Sequence, residues 1–114
     1  MGMLMSAVVI REKYITALSP FGDLQTAVDL ALERYTIEQI AEKLAELRQR
    51  EAIYREKYGL DFNAIAGRVS SDERFVTELE ARGFKTWEAD LADWEFCHEG
   101  SRDWTRRLQT LLLE

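Results

Sequence analysis

Glu95-Phe96-Cys97-His98 puts a carboxylate three residues before the only histidine in the chain. On a helix those two side chains share a face, and Glu-x-x-His is the pair that helix bundles use to hold carboxylate-bridged metals. Such a site needs two of these pairs and further inward carboxylates, and the sequence contains one pair. We therefore read Glu95 and His98 as part of a solvated acidic face and expect no metal and no cofactor. Cys97 and His98 are adjacent, so on a helix they point about 100° apart and cannot activate one another. No glycine-rich phosphate loop and no zinc-ligand spacing occurs. The expectation is a protein without catalytic residues.

The remaining residues with chemical potential are aromatic and acidic. Tryptophan anchors interfaces because it buries a large rigid area and keeps one donor. Trp87 reads equally as core or as partner contact. Trp94 sits within Asp90-Leu91-Ala92-Asp93-Trp94-Glu95, and its acidic neighbours point to a surface boundary between chains. Trp87, Asp90, Asp93, Trp94 and Glu95 are thus the candidate partner-binding residues. Residues 71–99 hold nine acids against Arg74, Arg82 and Lys85, a net charge of −6. That balance disfavours phosphate contact and favours a basic protein partner.

Helices must position these groups. Ser19-Pro20-Phe21-Gly22 is a turn, and Asp23 caps the helix after it. From Leu24 to Tyr58 no proline or glycine interrupts the chain. Ile37, Ile40, Leu44 and Leu47 follow 3-4-3 spacing, and Tyr54 and Tyr58 continue it after a skip at Glu51. The spacing predicts one long amphipathic stalk helix, with β-branched Thr36 as its weak point. The seam formed by Ile37, Ile40, Leu44, Leu47 and Tyr54 needs a second apolar surface, either another copy of the chain or the last helix. We assign it to oligomerisation, most simply a homodimer.

Gly59 is a natural helix stop and Asp61 a natural start. A short helix over 61–68 would bury Phe62, Ile65 and Val69. Ser70 and Glu73 suggest a capping box for a helix over 72–82, with Phe75, Val76 and Leu79 inward. Thr86 would cap the last helix, where Trp87, Leu91, Trp94, His98, Ser101 and Thr105 keep 4-3-4-3-4 spacing and Gly100 is a soft interruption. Upstream, Ala7–Leu18 is ambiguous. Alternation of Val8, Ile10 and Tyr14 with Arg11 and Lys13 suits a short strand, and the same stretch suits a helix. A strand would give the layout of ribbon–helix–helix regulators, which leaves DNA binding through this N-terminal segment as an alternative.

The whole reads as a single all-α domain, 1–114. Residues 1–58 form the N-terminal segment and stalk, and 59–114 an acidic helical tail. The chain is 46% hydrophobic and 32% charged, and no apolar run approaches the roughly 20 residues of a membrane span. Its lone cysteine excludes an internal disulfide and suits a reducing cytoplasm. Met1-Gly2-Met3-Leu4-Met5-Ser6 fits a short myristoylation pattern, which we read as a chance match.

One ordered set of segments resembles a known family. Gly22-Asp23-Leu24, then Ala27 to Tyr35, then Glu56 to Phe62, then Trp87 to Glu95 are similar to the small antitoxin-like proteins of archaea and cyanobacteria. These are the TumA-type partners of ribonuclease-like TumE-type toxins. The likeness covers most of the chain from residue 22 onward. It departs at Arg68–Gly83, which is longer than the usual joining segment, and at Gly100. The resemblance implies a non-enzymatic protein that binds and silences a basic toxin encoded nearby. A metal-binding helical-bundle enzyme is the remote alternative.

Overall fold

The computed structural model describes residues 7–114. The myristoylation pattern at Met1–Ser6 lies outside the described residues. Within them the chain forms five α-helices: α1 (Glu12–Leu18), α2 (Leu24–Tyr58), α3 (Phe62–Ser71), α4 (Glu73–Ala81) and α5 (Trp87–Leu113). A single 3-10 turn at Ser19–Phe21 joins the first two. The all-α reading therefore holds. The N-terminal strand does not form among these residues. No other described segment is extended, so a strand there would leave its N–H and C=O groups without a ladder. A helix closes its own hydrogen bonds, beginning with Ile15 N–H to the Arg11 carbonyl, and Glu12 in its first turn suits the positive end of the dipole.

Helix α2 begins where Asp23 accepts from the Thr26 N–H at 3.0 Å, and runs 35 residues without a break. It does not break at Thr36. The Thr36 hydroxyl donates to the Leu32 carbonyl at 2.7 Å, inside the helix's own turn. The helix stops at Gly59, whose φ of 72° is left-handed backbone that only glycine adopts without strain. Asp61 then starts α3 by accepting from the Ala64 N–H at 2.8 Å.

Two local expectations change. Helix α3 runs on to Ser71, so Ser70 is not an N-cap. The Ser70 and Ser71 hydroxyls donate backward to the Gly67 carbonyl. Asp72 caps α4 instead, accepting from the N–H groups of Arg74 and Phe75. Thr86 stands at the start of α5, but its hydroxyl donates to the Asp90 carboxylate rather than accepting from the backbone.

The chain folds back on itself. Leu47 lies against Gly100, Glu51 against His98, Tyr54 against Asp93 and Tyr58 against Asp90. Numbers rise along α2 as they fall along α5, so the two long helices are antiparallel. Ile40, Leu44 and Leu47 on α2 are buried, as are Trp94, Cys97 and Ser101 on α5. Gly100 is the point of close approach: a β-carbon there would meet a Leu47 methyl at 3.0 Å. At the turn end, α3 and α4 cover the hairpin with a core of Ile65, Phe75, Leu79 and Trp94. At the other end α1 lies on α2. The result is a rod of 65 × 26 × 20 Å. None of the described helices is long and apolar enough to cross a membrane.

Candidate partner-binding surface

The 4-3-4-3 line of α5 turns its residues toward α2, and this decides where each candidate goes. Trp94 has no exposed surface. Its ring stacks on Tyr54 and Tyr58 at centroid distances of 5.8 and 6.2 Å and meets the edge of Phe62 at 5.8 Å. The expected partner anchor is therefore the centre of the chain's own core. Asp93 and Glu95 misled the sequence reading because they flank Trp94 in the chain but project from other sides of the helix. The Trp94 indole N–H has no acceptor among the described residues.

Asp93 and Asp90 close the hairpin. Asp93 accepts from the Arg50 guanidinium and from the Tyr54 hydroxyl, the latter at 2.6 Å. Asp90 accepts from the Tyr58 hydroxyl and the Lys57 ammonium, both at 2.6 Å. These bonds carry electrostatic consequences. The hydrogen bond to Asp93, aided by burial, pushes the Tyr54 hydroxyl up to about 12. Burial, and then the bond to Asp90, pushes the Tyr58 hydroxyl up as well. Burial acts to raise the Asp90 carboxyl, but bonds from Lys57 and Tyr58 outweigh it and hold it below the usual carboxylate value. Asp90 and Asp93 are thus an internal clasp, and their charge is met within the chain.

His98 belongs to the same ladder. Its Nδ1 lies 3.0 Å from a Glu51 carboxylate oxygen, and its ring stacks on Phe62 at 4.8 Å. Glu95 points away and is exposed. His98 is thus engaged by Glu51 across the hairpin while Glu95 is left to solvent, and no cluster of three His, Cys, Asp or Glu side chains fit to hold a metal occurs among the described residues. Cys97 has no exposed surface, and burial pushes its thiol up. Trp87 is half-buried, with its N–H donating to Glu80 at 3.3 Å.

The proposed oligomerisation seam is mostly occupied from within. Ile40, Leu44 and Leu47 are buried against α5, Tyr54 packs on Trp94, and Ile37 is half-buried. Sequence reasoning noted the skip at Glu51 and the histidine in the α5 line separately. Their coincidence in an antiparallel pair was the available signal, and it would have located Arg50, Lys57 and Tyr58 as partners of the acids.

Two sets of exposed side chains stand out among the described residues. One is acidic: Glu73, Glu78, Glu80, Glu88, Glu95 and Glu99 are all exposed on α4 and α5. The other is apolar and lies at the α1 end. Leu30 and Leu32 are 59% and 60% exposed, and Val8, Val9, Phe21 and Tyr35 are also exposed.

No protein-family model, curated protein or solved structure matches the chain.

Proposed function

We propose that this chain is a non-enzymatic cytoplasmic binding protein for a basic protein partner and, following the resemblance, that the partner is a ribonuclease-like toxin encoded beside it, which it silences. The observation that carries this reading is the outward row on α5. Glu88, Glu95 and Glu99 are spaced seven and four apart, so they share one helical face, and all three are exposed. None is spent on the clasp. A nuclease must hold phosphates and so presents positive charge. Complementary potentials steer such a partner in and exclude acidic competitors.

The test is a triple reversal, Glu88→Lys with Glu95→Lys and Glu99→Lys, which leaves the clasp untouched. Association with the basic product of the neighbouring gene should slow at least tenfold at low salt and lose most of its salt dependence. Far-ultraviolet circular dichroism serves as the folding control. A folded triple variant that binds and silences that product as the parent protein does would remove the acidic face from the mechanism.

A further inference from the structure

Beside the leucine seam a cleft of about 350 Å³ opens between α2 and α5. Arg48 and Glu51 of α2 form one wall, and Arg102, Thr105, Arg106 and Gln109 of α5 form the other. The spacing explains the gathering. On α5, positions 98, 101, 102, 105, 106 and 109 recur at intervals of three and four, so they share one face. The pairing of Glu51 with His98 sets Arg48, nearly one turn back on α2, level with Ser101 and Arg102 on the antiparallel α5. The chain as a whole carries −6, yet here three guanidinium groups meet one carboxylate. That carboxylate, Glu51, is turned to His98 Nδ1 at 3.0 Å. Arg48 and Arg102 are exposed and in no ion pair among the described residues. Glu99 and Asp103 line the next groove round α5, and of the two arginines there only Arg106 forms an ion pair, with Asp103 at 3.2 Å. Arg102 and Arg106 stand four residues apart on one helix, where like charges repel. Ser101, 8% exposed, also lines the cleft, and its hydroxyl has no partner among the described residues. A buried donor left unsatisfied costs stability, as the repulsion does. An anion in the cleft relieves the repulsion.

We infer that this cleft binds a small phosphorylated ligand through its phosphate group. Guanidinium forks match the oxygens of carboxylate and phosphate alike. A carboxylate has two oxygens in one plane, and a single fork fills it. The terminal oxygens of a phosphate are tetrahedral and accept from forks on opposite walls. Arg48 on one helix with Arg102 and Arg106 on the other supplies that arrangement, and Thr105 and Gln109 add neutral donors. The volume lies within the range of small-molecule sites. A long polyanion suits the surface less well. Along the same side of α5, Arg106 and Arg102 give way to exposed Glu99 and Glu95, so a nucleic-acid strand laid there would soon meet carboxylates. The site is separate from the binding of a basic partner and does not depend on that reading.

Equilibrium dialysis of the full chain against labelled pyrophosphate, in metal-free buffer at physiological salt, tests this. Binding should saturate at a single site with a dissociation constant below about 1 mM. Arg48→Gln and Arg102→Gln should each weaken it by roughly tenfold or more, since each removes hydrogen bonds between charged groups. Both side chains are exposed, and far-ultraviolet circular dichroism checks that the variants fold. Arg55→Gln removes the same charge from an exposed position of α2 outside the cleft and should leave binding unchanged. Failure to saturate below about 10 mM, or an equal loss in Arg55→Gln, would overturn the inference. So would citrate binding as tightly as pyrophosphate, or an oligonucleotide binding more tightly with an affinity that grows with its length.

Discussion

Asp93 has both a guanidinium and a phenol aimed at it, and the phenol reports on the fold. The Tyr54 hydroxyl sits at about 12 in the folded chain, against an ordinary value near 10. The unfolded chain therefore gives up this proton first as pH rises. The stabilisation is fully present below about pH 10 and is lost as pH climbs through about 12. Tyr54→Phe should lower stability at pH 7 by about 1 kcal/mol, because it removes one partly exposed bond to a charge. It should also flatten the fall in stability between pH 10 and 12, measured by urea unfolding at stepped pH. An equally steep alkaline fall in the variant would mean that other groups carry it. At this scale the chemistry of each residue was legible, but its direction was not. Trp94 read as surface because its neighbours in sequence are charged. Only the 4-3-4-3 spacing said otherwise, since a helix separates neighbours by about 100°.

Three helix ends were legible from local signals. Asp23, Gly59 and Asp61 act within three or four residues of themselves, and the structure places them as the sequence implied. The joint between α3 and α4 was misread because two serines and an aspartate compete there, and their order alone does not say where α3 stops. Asp72 won, being the residue whose backbone leaves the helical region. Asp72→Ala should therefore cost about 0.5–2 kcal/mol in thermal or urea unfolding, whereas Ser70→Ala should be near neutral. The reverse ranking would restore the capping box at Ser70. The N-terminal segment was undecidable for a different reason: a short apolar run fits either period, and only the absence of a neighbouring strand settles it.

At the level of the whole molecule, the heptad seam was visible but its partner was not. Ile40, Leu44 and Leu47 would look the same facing another copy or facing α5. The α3–α4 connection allows the chain to turn back, and the Glu51–His98 and Asp93–Arg50 contacts show that it does. Leu44→Ala should cost ~2–5 kcal/mol, as for other buried leucines. Because this seam lies within one chain, the loss should not depend on protein concentration. A melting temperature of the variant that rises with concentration would return the seam to an interface between copies. Apolar rungs alone, however, do not say where along α2 the helix α5 should stop. Sliding it by one heptad would keep most leucines facing apolar neighbours. The same slide would set Glu51 against Leu91 or Thr105, and His98 against Leu44 or Tyr58. A carboxylate stranded in that interior costs several kcal/mol. The Glu51–His98 rung thus works as an indexing notch: it adds little grip of its own and penalises a hairpin misaligned by a heptad.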